Sequence, residues 1–117
     1  MKTKINKFED IISWQKSGKL TVEIYKIFST CLDYSFVNQI RRASVSIMNN
    51  IAEGYERNTN KEFRNFLFIS KGSCAEVRSM LYIAYKINYI NNEQFKELHK
   101  DTIEIAKLLS GLIKTLS

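Results

Sequence analysis

The chain has 117 residues, 44% of them hydrophobic and 26% charged, which suits one domain with its own core and excludes a disordered chain. Proline is absent and only four glycines occur, a composition that disfavours a turn-rich β domain and favours helices. The formal charge of +6 leaves two readings, an acidic partner such as nucleic acid or a negative protein face, and simple solubility.

Four segments carry the three-to-four-residue apolar spacing of amphipathic helices. The first is predicted over about 9–31, with a core stripe of Ile11, Trp14, Gly18, Val22, Tyr25 and Leu32. Asp33-Tyr34-Ser35 breaks it, and Ser35 is the expected N-cap of the second helix, over about 36–57. Phe36, Ile40, Ala43, Ile47, Ile51 and Gly54 form the core stripe of that helix. Thr59 with Glu62 three residues later reads as a capping box opening a third helix, over about 60–87. Its core line is Phe63, Phe66, Leu67, Ser70, Cys74, Val77, Leu81 and Ala84. Asn91 with Gln94 caps a fourth helix, over about 92–116, lined by Phe95, Leu98, Thr102, Ala106, Leu109, Ile113 and Leu116. Such short connections make consecutive helices antiparallel neighbours, so residues 1–117 are expected to form one all-α, up-down-up-down four-helix bundle.

Two helices carry apolar residues beyond one core face. Leu20, Ile24, Ile27 and Cys31 make a second stripe on the first helix. Ile69, Met80, Ile83 and Ile87 lie off the main stripe of the third. These residues read either as a homo-oligomer interface or as one broad core face.

Chemistry-bearing patterns are few. The single histidine, His99, has Lys96 three residues before it, so the Glu-x-x-His pairs of a di-iron bundle are missing. No Gly-rich phosphate loop or nucleophile motif occurs. Cys31 and Cys74 are far apart and surrounded by apolar residues, as expected of thiols in a reducing compartment. No run reaches the length of a membrane span, and no apolar signal core follows the basic N-terminus. The expectation is a cytoplasmic, non-enzymatic protein with no metal, no cofactor and no membrane partner.

Two polar arrangements remain. Arg42, Ser46, Asn49, Glu53 and Arg57 recur at helical spacing beside the second core stripe. This ladder either fixes helix register or serves as a ligand or partner site. Arg64, Lys71 and Arg78 recur every seven residues on the third helix, and Lys100, Lys107 and Lys114 do so on the fourth. Each trio is a stripe that can track a phosphate backbone, the alternative being a solvated face. Phe68 and Tyr82 flank the first stripe, and no motif for reading base sequence is present.

The run Gln39-Ile40-Arg41-Arg42-Ala43, with Ser46-Ile47 and Asn50-Ile51-Ala52-Glu53-Gly54, resembles the four-helix bundle family encoded in intervening sequences of bacterial 23S ribosomal RNA genes. Phe8-Glu9-Asp10-Ile11 with Trp14, Glu62-Phe63 with Phe66-Leu67, and Gly72-Ser73 with Glu76 extend the resemblance over most of the chain. The resemblance implies an antiparallel bundle that assembles into a ring, commonly a pentamer. A related branch, the accessory protein of diversity-generating retroelements, is a basic pentameric barrel that binds nucleic acid and a reverse transcriptase. The expected partners are therefore a second copy of the chain, RNA or DNA, and, by family analogy, a reverse transcriptase. A protein-interaction scaffold with no nucleic-acid role is the alternative.

Overall fold

The computed structural model describes residues 5–116, and Met1–Lys4, the start of the basic N-terminus, lie outside the described residues. A single 3₁₀ turn, Phe8–Asp10, leads into four helices: α1 (Ile12–Ile27), α2 (Tyr34–Tyr55), α3 (Asn60–Lys86) and α4 (Asn92–Lys114). Among the described residues there is no strand, and consecutive helices are antiparallel, packing α1 on α2, α2 on α3 and α3 on α4. The body is elongated, 42 × 27 × 19 Å. The all-α four-helix expectation is borne out.

Local chemistry explains the helix ends. The Asp33 carboxylate, not Ser35, caps α2 by accepting from Phe36 N at 3.2 Å, which moves the start of α2 two residues earlier than expected. Thr59 Oγ1 accepts from Glu62 N at 3.1 Å. At α4 the full capping box is present, with Gln94 N donating to Asn91 Oδ1 and Asn91 N donating to Gln94 Oε1. The α3–α4 turn passes through Asn88, whose φ of 64° is the left-handed conformation that ends many helices.

The core stripes of α2, α3 and α4 follow the expected spacing, with Val37, Ser44 and Ile105 as buried additions. Helix α1 is different. Its buried face is Ser13, Ser17, Leu20, Thr21 and Ile24, continued by Phe28, whereas Val22, Tyr25 and Leu32 are exposed. The small hydroxyl residues face inward because each has a backbone partner or occupies little space. Ser17 Oγ donates to Ser13 O at 2.6 Å, and Thr21 Oγ1 donates to Ser17 O at 2.9 Å and to Ser44 O of α2 at 3.2 Å. Satisfied hydroxyls of this kind cost little to bury and let α1 approach α2 closely. Leu20 and Ile24, expected at an oligomer interface, are therefore core residues of the chain itself.

At Gly54 the α2–α3 contact is tightest. A Cβ there would meet Phe66 Cβ at 2.6 Å and Phe63 Cδ1 at 3.1 Å, so only glycine fits without movement of α3. At the opposite end of the bundle the two loops are tied together. Tyr89 OH donates to Asp33 Oδ2 at 2.6 Å, and the Phe36 ring meets the Tyr89 ring edge-on at 5.4 Å.

Candidate nucleic-acid interface

Contacts between α3 and α4 fix which side of α3 faces its partner. Cys74 Sγ donates to Thr102 O at 3.2 Å, Tyr82 OH pairs with His99 Nε2 at 2.9 Å, and the Tyr85 and Phe95 rings stack at 5.0 Å. On the 3.6-residue helix, Arg64, Lys71 and Arg78 lie on that same flank, just outside the buried line. The contacts of α2 use the other flank of α3, where Ser70 Oγ donates to Ile47 O at 2.7 Å and Ser73 Oγ pairs with Ser46 Oγ at 2.8 Å.

The same reasoning orients α4. Phe95, His99 and Thr102 meet α3, whereas Glu104 reaches Lys16 of α1 at 2.6 Å, and Asp101 lies in the field of Lys19 and Lys16. Asp101 and Glu104 thus look toward α1, whereas Glu93, in the first turn of α4, stands seven residues before Lys100 on the same line. Burial and the neighbouring Glu97 push the Asp101 carboxyl above its ordinary range. Lys100, Lys107 and Lys114 lie on the outer side of α4, and Lys107 also lines a groove with Asp10 and Ile12 at the start of α1. A shallow depression lined by Ile103, Ala106, Lys107, Ser110, Gly111 and Lys114 marks that side.

Two stripes read separately in the sequence therefore share one face of the bundle. Because α3 and α4 are antiparallel, with Cys74 on Thr102 and Tyr82 on His99, Arg78 comes level with Lys100 and Arg64 with the end of α4. Successive cations along each stripe are about 10 Å apart at 1.5 Å rise per residue. Arg64, Lys71, Arg78, Lys100 and Lys107 make no ion pair among the described residues. Lys100, Lys107 and Lys114 are exposed, and the α3 cations are half-buried along their stems. The guanidinium of Arg64 lies 5.6 Å from the centroid of the Phe68 ring. Its Nε is buried with no hydrogen-bond partner.

The polar ladder runs along the α2–α3 seam and is partly consumed by packing. Ser46 bridges to Ser73, and Asn50, not the expected Asn49, backs it, its Nδ2 donating to Ser46 O at 2.8 Å and to Ser46 Oγ at 2.9 Å. Asn49 is exposed. Arg57 pairs with Glu53 at 2.6 Å, lies 3.9 Å from Glu62 and sits 4.7 Å over the Phe66 ring. Arg42 lines an open groove of 630 Å³ together with Gln39, Ser73 and Glu76. The sequence could not separate Asn49 from Asn50, because both follow the same polar run and only the crossing of α2 on α3 decides which one turns inward.

Of the expected interface residues, Ile27 and Met80 are half-buried against the core, whereas Ile69, Ile83 and Ile87 are exposed on the third helix and its end. The thiols differ too. Burial holds the Cys74 thiol up at about 11, and Cys31 is only half-buried. Among the described residues no group of three or more His, Cys, Asp or Glu could hold a metal ion, and no helix is long and apolar enough to cross a membrane.

Comparison with known proteins places this geometry. No curated protein matches the chain. A crystal structure of a protein of unknown function from the S23 ribosomal protein family of Bacteroides thetaiotaomicron VPI-5482 is similar in fold, with a TM-score of 0.82 and 28% identity. The similarity covers 88% of this chain and 96% of that one. The family described as 23S rRNA-intervening sequence protein matches residues 9–111, nearly the whole bundle, and the chain belongs to that family.

Proposed function

We propose that this protein is a non-enzymatic binding protein that holds nucleic acid on its α3/α4 face through sequence-independent contacts to the phosphate backbone. The observation that carries this reading is the convergence of Arg64, Lys71, Arg78, Lys100, Lys107 and Lys114 on one face, with Asp101 and Glu104 of α4 turned toward α1. Surface cations along an elongated body raise the local potential and release counterions when a phosphate backbone replaces them. Nothing on this face resembles a base-reading device, so affinity without sequence preference is expected.

Self-assembly belongs to the same proposal. Ile69, Ile83 and Ile87 expose large apolar side chains that the bundle does not cover, and a second copy of the chain is the partner that would cover them. A ring of copies would repeat the basic face and raise avidity without new contacts. A protein partner such as a reverse transcriptase is a further expectation that rests on family analogy alone.

The test is charge reversal. Lys71→Glu with Lys107→Glu should cut affinity for a short RNA at least ten-fold. Lys7→Glu with Lys26→Glu, an equal reversal of charge on exposed residues away from this face, should change it little. Equal losses from both variants would assign the effect to net charge and not to this face.

A further inference from the structure

Every 3.5 residues along the α4-facing flank of α3, one surface stripe reads Arg64, Phe68, Lys71, Ala75, Arg78, Tyr82, Tyr85. Three cations and three aromatic rings share it, with Ala75 between Lys71 and Arg78. Phe68 and Tyr82 are each about half exposed, at 48% and 47%, although large aromatic side chains ordinarily bury themselves in a bundle of this size. The Tyr82 ring is held in place and not loose. Its hydroxyl pairs with His99 Nε2 at 2.9 Å, and it packs on Phe95 at 5.2 Å and on His99 at 5.4 Å. Tyr85 stacks on Phe95 beside it, with an interplanar angle of 28°. Phe68 is steadied by the Arg64 guanidinium at 5.6 Å. The two exposed rings are 14 positions apart, about 21 Å along the helix, with Lys71 and Arg78 between them.

We infer that the α3/α4 face takes single-stranded nucleic acid in preference to a duplex, with bases stacking on Phe68 and Tyr82 while Lys71, Arg78 and the α4 lysines contact the phosphates. The inference rests on the nucleic-acid reading above and adds the strandedness of the ligand. A duplex offers this face only its phosphates, because its bases are stacked on one another and their faces are closed. A single strand can turn its bases out onto exposed rings, and such stacking tolerates any base, which suits a face with no base-reading groups. The fixed Tyr82 ring loses little freedom on binding, so the stacking free energy is largely retained.

The experiment measures binding of the full chain to a labelled 20-nucleotide oligouridine and to a 20-base-pair duplex at the same low salt. The single strand should bind at least ten-fold more tightly. Phe68→Ala and Tyr82→Ala should each weaken the single strand about ten-fold and leave the duplex unchanged, whereas Tyr82→Phe, which keeps the ring and its packing on Phe95 and His99 but not the hydroxyl bond, should lose far less. Circular dichroism on each variant checks the fold, and Phe68→Leu, which keeps apolar bulk without a π face, should reproduce the Phe68→Ala loss if the alanine variant is unstable. Equal affinity for the two ligands, unmoved by the aromatic substitutions but lowered by Lys71→Glu with Lys107→Glu, would overturn the inference and leave the backbone reading standing. No binding of either ligand at low salt would overturn both.

Discussion

Gly54 and Gly72 show how the same residue can be required at one position and dispensable at another. A Cβ at Gly54 would stand 2.6 Å from Phe66 Cβ, an atom fixed to the α3 backbone, while a Cβ at Gly72 meets nothing within 4 Å. Gly54→Ala should therefore cost about 1–3 kcal/mol through overpacking. Gly72→Ala should stabilise by about 0.5–1 kcal/mol, since alanine restricts the unfolded chain and favours the helix. Urea unfolding of the two variants measures both signs. Tyr89 and Asp33 give a second residue-scale prediction. The hydrogen bond from Tyr89, and then the Phe36 amide, hold the Asp33 carboxyl below its ordinary range, while the bond to Asp33 and burial push Tyr89 up to about 12. A lowered carboxyl contributes stability that is present above its unfolded value and lost as pH falls through its folded one. A raised phenol contributes stability that is present below its ordinary value of 10.0 and lost as pH rises toward about 12. Tyr89→Phe should thus be less stable than the parent at pH 7, and the gap should narrow as pH falls below the ordinary carboxyl range. Denaturation at pH 7 and at acid pH would show it, and no gap at pH 7 would mean that ring packing and not the hydrogen bond ties the loops.

Among the elements, α2, α3 and α4 were legible because their buried lines are made of large apolar residues at helical spacing. Ser70 was placed in the core correctly, and its bond to Ile47 O explains why a hydroxyl is tolerated there. Helix α1 was read about one residue out of phase. Its inward face carries Ser13, Ser17 and Thr21, whose hydroxyls look polar in the sequence but are satisfied by backbone carbonyls, except at Ser13. Val22, Tyr25 and Leu32 then drew the apparent stripe to the outer side. Tyr25 is covered there instead by Arg41, whose guanidinium sits 4.5 Å over the ring and donates to Tyr25 O at 3.2 Å. The direct consequence is a contrast between two isoleucines. Ile24 is fully buried, so Ile24→Asp should unfold the chain, an uncompensated charge in the core costing several kcal/mol. Ile83 is half exposed, so Ile83→Asp should keep full helicity and, if copies meet on this side of α3, reduce the mass seen by light scattering. Full helicity with unchanged mass would remove Ile83 from any interface.

At the scale of the whole molecule, the positive charge becomes informative only once the helices are assembled. Spacing alone showed that each basic trio shares a helix side, but not that the two sides coincide. That coincidence depends on the rotation of α3 and α4 about their axes, which the contacts of Cys74, Tyr82 and Tyr85 set. The rotation also sends Glu104 to Lys16, so opposite charges are neutralised between α1 and α4 while the α3/α4 face keeps its cations. The most direct test of the central claim is the salt dependence of RNA binding between about 50 and 200 mM, for the parent chain and for Lys71→Glu with Lys107→Glu. Backbone contacts on this face predict steep weakening with salt in the parent, and a slope shallower by roughly 1.4 in the variant, at about 0.7 per lost single-strand phosphate contact. Identical slopes, or binding indifferent to salt, would contradict it.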